Sequence, residues 1–86
     1  MNITYNNKTY AIPAPFDQCD MGTNPTHELT VRNPMSNDSC KLPAFAVAIY
    51  DTIMGNDALQ FDEGISNKGK YWFQKNFINE YYILLD

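Results

Sequence analysis

The alternation of hydrophobic and polar residues predicts a β-hairpin at the start of the chain. Residues 2–12 show the period of two that is typical of strands. The apolar positions of this alternation are Ile3, Tyr5, Tyr10 and Ile12. The pair at residues 6–7 is Asn-Asn, and asparagine tolerates the positive φ angles of a tight turn. We therefore predict two antiparallel strands that end at Pro13, because proline cannot donate to a strand ladder.

The next segment, residues 13–27, is predicted to be irregular. Proline, glycine and asparagine occur in it too often for a regular element. Its apolar residues, Phe16, Cys19 and Met21, predict an ordered loop that packs against one end of the sheet. Loops of about 15 residues in compact domains are also often functional.

A third strand is predicted at residues 28–32, where apolar and polar side chains alternate again. Leu29 and Val31 are expected to face the core, and the other face is expected to be in water, as antiparallel sheets allow. Asn33-Pro34 ends this strand, and residues 33–41 are predicted to be a polar connection.

Residues 43–54 give the clearest helical pattern. Pro43 suits the first turn of a helix, and Gly55 suits the position just after its end. The residues between them are apolar on nearly every face, which is typical of a buried helix. After this helix, residues 56–65 are predicted to be an acidic segment with at most a short helical turn at 57–60.

A second long helix is predicted to begin at Ser66 as its N-cap. Its apolar stripe is Ile65, Trp72, Phe73 and Phe77. Gly69 inside this helix indicates either close packing or a break, and the helix is expected to end near residue 76 and restart. Residues 81–86 are compatible with helix or with a short strand, and the upstream context favours helix.

These elements predict one domain, residues 1–86, of the α+β class. We expect a small antiparallel sheet of about three strands, with the N-terminal hairpin first and two C-terminal helices packed on one face. Burying the half-wet sheet against two apolar helices is the simplest arrangement of these elements.

Ten acidic and six basic residues give a net charge of −4, which argues against direct nucleic acid binding and against an anionic membrane surface. Only Lys68, Lys70 and Lys75 lie close together among the bases. No apolar run reaches the roughly 18 residues of a membrane helix, and the first residues do not resemble a signal peptide. We therefore predict a cytoplasmic protein, in the host cytoplasm for a viral one.

A metal or thiol site would have to use Cys19, His27 and Cys40, with Asp20 or Asp38 as a fourth ligand. The two cysteines are far apart, whereas structural zinc sites usually have paired short spacings. Two free thiols are the expectation in a reducing compartment, with a disulfide as the alternative. Cys40, near the start of the first helix, is the better candidate for a reactive thiol because the helix dipole lowers a thiol pKa.

No motif predicts an enzyme or a cofactor. Asp62 and Glu63 are adjacent, so on a regular element they point in different directions, whereas acid–base catalysis needs two carboxylates that face one site. The segment around them also lacks the spacing of a calcium loop.

The aromatic residues near the C-terminus point instead to a binding surface, since tyrosine and tryptophan are enriched at interfaces. The candidate partner-binding residues are Tyr71, Trp72, Tyr81 and Tyr82. Trp72 is also expected in the core with Phe73 and Phe77, which leaves the three tyrosines as the better candidates for exposure.

In length and composition the chain resembles the small acidic accessory proteins that phages encode. This resemblance implies an inhibitor or modulator that binds a host or viral protein. A protein-interaction module is therefore our first hypothesis. The alternatives are a structural subunit, either a homo-oligomer or a minor virion component, and a small zinc- or thiol-dependent domain.

Overall fold

The α+β class is confirmed by a computed structural model that describes residues 1–85. The described chain contains two hairpins followed by a helical layer. In order, the elements are β1 Asn2–Tyr5, β2 Lys8–Ala11, a 3-10 turn Phe16–Gln18, β3 Glu28–Arg32, β4 Ser39–Pro43, α1 Ala44–Leu59, α2 Glu63–Asn76 and α3 Ile78–Leu84. Helices α1 and α2 pack on each other, and α3 packs against β4.

The first hairpin is formed as the sequence predicts. Strands β1 and β2 are antiparallel, with Tyr5 opposite Lys8. Asn6 and Asn7 have φ angles of 51° and 63°, the left-handed conformation that this tight turn requires. The following segment is ordered by Phe16, which is fully buried in the 3-10 turn.

The second hairpin corrects the prediction of a single sheet with about three strands. Residues 39–41, predicted as the end of a polar connection, and Pro43, predicted in the first turn of the helix, belong to strand β4. This strand pairs with β3, so the described residues contain two separate two-stranded sheets. The turn between them depends on Asn33, whose N–H donates to the Asp38 carbonyl at 2.8 Å, and on Asn37, whose φ is 69°. The short apolar alternation of β4 is easily overlooked beside so polar a turn.

The prediction that Leu29 faces the core is wrong, since this side chain is 38% exposed. Its cross-strand partner Leu42 is fully buried, and Val31 is half-buried against the core. In a two-stranded sheet each strand has one edge without a neighbouring strand. Leu29 on β3 therefore has a cross-strand neighbour on the β4 side only, and its side chain remains partly in solvent.

Helix α1 extends five residues beyond its predicted end at 54, through Leu59. Gly55 therefore lies inside the helix, and the left-handed residue after its end is Gln60, with φ of 52°. The predicted N-cap of α2 is also wrong, because Ser66 is buried within α2. Asp62 caps the helix instead, and its carboxylate accepts a hydrogen bond from the Gly64 N–H at 2.9 Å.

The predicted interruption near residue 76 is confirmed, since α2 ends at Asn76 and α3 begins at Ile78. The described chain thus has three helices after its strands instead of the predicted two. Residues 81–84 are helical, as the upstream context favours, and Asp86 lies outside the described residues. Gly69 marks close packing: a β-carbon built on it would lie 2.5 Å from the Ile53 Cγ1 atom of α1.

The core is rich in aromatic rings and joins both hairpins to the helices. Phe45 of α1 lies at its centre, fully buried, with Tyr10 of β2 5.4 Å away and Trp72 of α2 6.2 Å away between ring centroids. Residues 1–85 contain no helix that is long and apolar enough to cross a membrane.

Candidate protein-interaction surface

Several large apolar side chains are exposed to solvent. Within residues 1–85 the most accessible aromatic and aliphatic side chains occur at Met35, Leu59, Phe61, Tyr71 and Tyr82. Single exposed apolar residues are normal, so the informative cases are those that occur together with a cavity or a fixed backbone.

The predicted binding residues divide into three groups in the structure. Tyr71 on α2 and Tyr82 on α3 are 65% and 60% exposed, as expected for candidate contacts. Tyr81 is half-buried and lies edge-to-face on Tyr82 at 5.8 Å. Trp72 is only 5% exposed, so it packs beneath the surface and offers a partner little contact area. The four residues therefore do not form one patch.

Tyr71 borders a groove of about 360 Å³ between the first hairpin and α2, which we call the hairpin–α2 groove. One wall consists of residues 1–2 and 11–13, and the other is a single face of the helix. The helical lining residues recur at i, i+3, i+4, i+7 and i+8: Lys68, Tyr71, Trp72, Lys75 and Asn76.

Hydrogen bonds from α2 to the end of β2 and to the loop after it fix the shape of this groove. The indole Nε1 of Trp72 donates to the Ala11 carbonyl at 2.8 Å, and the ammonium of Lys68 donates to the Ala14 carbonyl at 2.5 Å. The Asn76 amide donates back to the Trp72 carbonyl at 2.9 Å. The groove is therefore preformed, which is the usual property of a binding site.

The charge of the groove is opposite to that of the protein. Its lining includes Lys68 and Lys75, and none of the described lining residues is Asp or Glu. By contrast, Lys41 and Lys70 lie in ion pairs, with Glu28 at 3.9 Å and Asp57 at 3.4 Å. A chain of net charge −4 thus presents two cations beside an apolar floor, which suits a ligand with both acidic and apolar groups.

A second cavity, of about 400 Å³, lies at the turn between α1 and α2 and is mostly polar. At its base Ser66 donates a hydrogen bond to the Asp57 carboxylate, which also pairs with Lys70. The hydrogen bond from Ser66 is the largest effect on Asp57 and lowers the pKa of its carboxyl. Burial opposes it, and the hydrogen bond and charge of Lys70 add to the lowering, so the pKa lies below its ordinary value. These contacts connect the two helices and explain why Ser66 is buried.

Replacing Ser66 with alanine is expected to lower the free energy of unfolding at pH 7 by about 1 kcal/mol. This is below the roughly 1.5–3 kcal/mol of a hydrogen bond to a charged group, because the carboxylate is solvent-exposed. A lowered carboxyl pKa stabilises the fold above its unfolded value of 3.8, and this contribution is lost as the pH falls through the folded pKa. Urea unfolding at pH 7 and at about pH 2.5 should therefore show a larger difference at pH 7.

The exposed Ser39→Ala variant is the control for that measurement and should change stability little at either pH. Equal losses for Ser66→Ala at both pH values would mean that the bond to Asp57 does not stabilise the fold through its charge.

The predicted metal and thiol residues are placed on separate elements. Cys19 lies in the loop, with its sulfur 3.1 Å from the Thr52 hydroxyl, and Cys40 lies in β4 opposite Val31. Both cysteines are free thiols, and His27 is exposed before β3. Residues 1–85 contain no group of three or more His, Cys, Asp or Glu side chains that could hold a metal ion.

The expectation that Cys40 is an activated thiol is also corrected. Burial, and to a smaller extent the charge of Glu80, raises the pKa of Cys40 rather than lowering it. A raised pKa leaves less thiolate at neutral pH, and the thiolate is the reactive form.

No protein-family model, curated protein or solved structure matches this chain. The sequence singled out Tyr71 and the closeness of Lys68, Lys70 and Lys75, but it did not show that only Lys68 and Lys75 line a groove opposite the hairpin. It did not single out Leu59 or Phe61, whose exposure follows from the geometry of a turn.

Proposed function

We propose that this protein is a protein-interaction module that binds an acidic, apolar segment of a partner protein in the hairpin–α2 groove. The observation that carries the proposal is the pairing of Lys68 and Lys75 with exposed Tyr71 along one preformed groove. An exposed tyrosine over an apolar floor supplies contact area at low entropic cost, and the two lysines select acidic partners.

This proposal includes binding without catalysis, as the sequence predicted. A cytoplasmic location, in the host cytoplasm for a viral protein, is retained as a proposal from the sequence. A role as inhibitor or modulator of a host protein is the specific form suggested by the resemblance to phage accessory proteins.

Selection from a random peptide display library tests the groove, because it does not require the partner to be identified first. We expect the protein to enrich peptides that combine acidic with aromatic or aliphatic residues. The Lys68→Glu/Lys75→Glu variant should bind the enriched peptides at least about tenfold more weakly, because two favourable charge contacts become repulsive.

Two matched controls separate the groove from general effects. Lys8→Glu/Lys41→Glu has the same net charge but changes lysines outside the groove, and it should bind like the unmodified protein. Tyr71→Ala should weaken binding, whereas Tyr82→Ala, similarly exposed on α3, should not. Equal losses in the two lysine variants, or a loss confined to Tyr82→Ala, would contradict the proposed site.

A further inference from the structure

The turn between α1 and α2 carries the most exposed aromatic side chain of the described residues. Phe61 is 81% exposed and Leu59 is 75% exposed, on either side of left-handed Gln60. Residues 59–63, which we call the Phe61 turn, also include the acidic pair Asp62 and Glu63.

The Phe61 turn has a fixed backbone. The side-chain amide of Asn56 donates to the Asp62 carbonyl at 2.6 Å and accepts from the Asp62 N–H at 3.1 Å. The Phe61 N–H donates to the Asn56 carbonyl at 3.1 Å. The backbone therefore holds Phe61 in solvent, and little backbone entropy remains to be lost when a partner buries the ring.

We propose that the hairpin–α2 groove of one molecule binds the Phe61 turn of a second copy of this chain. The chemistries are complementary: Phe61 is an apolar group flanked by acids, and the groove is an apolar floor flanked by Lys68 and Lys75. A cavity of roughly 150 Å³ binds benzene. The groove volume of about 360 Å³ therefore accommodates the phenyl ring of Phe61 together with a neighbouring side chain.

The two complementary surfaces lie at different positions along α2 of the same molecule. Glu63 begins the helix and Tyr71 lies eight residues later, about 12 Å along the axis at 1.5 Å per residue. Phe61 does not line the groove of its own molecule. The contact joins different surfaces of the two copies, so it either forms twice in a closed two-fold dimer or continues from copy to copy as a ring or an open chain.

This inference rests on the proposed binding function of the groove and names its partner. The test is sedimentation velocity at protein concentrations up to about 1 mM, where weak contacts become populated. The unmodified protein should self-associate in a concentration-dependent way. Phe61→Ala and Lys68→Glu/Lys75→Glu should each weaken association at least about tenfold, the effect expected for a central interface residue.

Mixing the two variants gives the decisive result. The Phe61→Ala molecule keeps its groove, and the lysine variant keeps its Phe61 turn, so an equimolar mixture should form one intact contact and stop at a 1:1 dimer. Lys8→Glu/Lys41→Glu is the charge-matched control and should self-associate like the unmodified protein. A monomer at every concentration, or a mixture no more associated than its components, would overturn the inference.

Failure of self-association can be distinguished from failure of the groove as a peptide-binding site. A monomeric protein that still selects acidic, apolar peptides through Lys68 and Lys75 keeps its binding function but has a different partner. Peptide binding that is insensitive to the lysines contradicts the groove itself.

Discussion

Replacing Phe45 with alanine is expected to lower the free energy of unfolding by about 3–5 kcal/mol, the usual cost of removing a buried phenylalanine ring. Phe45 is fully buried and contacts rings from three other parts of the fold. Its neighbours are Tyr5 at 6.1 Å, Tyr10 at 5.4 Å, Trp72 at 6.2 Å and Phe77 at 6.2 Å. The variant would lose both apolar burial and edge-to-face ring contacts.

This loss is large for a protein of 86 residues, because the total stability of a domain is about 5–15 kcal/mol and short chains bury a smaller share of their surface. Urea unfolding followed by tryptophan fluorescence measures it, since the single Trp72 lies beside Phe45.

Phe61→Ala is the matched control, because the same side chain is removed from a position that is 81% exposed. Its stability should stay within about 0.5 kcal/mol of the unmodified protein, as for most surface substitutions. A similar loss in both variants would contradict the arrangement of the core. An unchanged Phe61→Ala fold also ensures that its effect on self-association is not an effect on folding.

Adding a single methyl group at Gly69 is expected to destabilise the protein although it improves helix propensity. The new carbon would lie 2.5 Å and 2.6 Å from side-chain atoms of Ile53 and 3.0 Å from the Phe16 ring. Both neighbours are fully buried, so they have no free space into which to move. Overpacking costs about 1–3 kcal/mol, and replacing glycine in a helix returns up to about 1 kcal/mol.

We therefore expect a net loss of about 1–2 kcal/mol for Gly69→Ala and about 3 kcal/mol for Gly69→Val, which places more atoms in the same contact. Gly55→Ala is the matched control within α1, since a β-carbon there meets nothing within 4 Å. That variant should gain about 0.5–1 kcal/mol. Thermal unfolding of the three variants compares the signs directly, and a stabilised Gly69→Ala would contradict the close approach of the helices.

Both functional proposals require groove variants that fold normally. Lys68, Lys75 and Tyr71 lie at the surface of the groove, where substitutions change stability little. Lys68 is the exception to check, because its ammonium donates to the Ala14 carbonyl. Lys75→Glu alone therefore gives a second groove variant that leaves this contact intact.

Local sequence patterns determined much of the fold. The Asn6-Asn7 pair specified the first hairpin because positive φ angles at two consecutive residues suit asparagine. The spacing of Ile65, Trp72 and Phe73 specified the apolar face of α2, whereas Phe77 packs on the core from the junction of α2 and α3. Both signals are carried by neighbouring residues, so they can be interpreted without knowing what packs against them.

Contacts between distant residues decided the features that the sequence left open or placed wrongly. Strand β4 exists because it pairs with β3. Its own alternation of apolar and polar residues was too short to predict a strand. Ser66 was predicted as an N-cap from its residue type, whereas in the fold it lies buried against Asp57 of α1. The close approach at Gly69 likewise depends on Ile53, sixteen residues earlier.

The candidate site was determined partly by the sequence and partly by the tertiary structure. Sequence alone indicated exposed tyrosines, three nearby lysines and no catalytic motif. Only the tertiary structure set Lys68, Tyr71 and Lys75 against the first hairpin and held Phe61 in solvent on a fixed turn. The physical reason is that a residue's type and spacing determine which face of its own element it occupies, whereas its burial depends on which other element packs against that face.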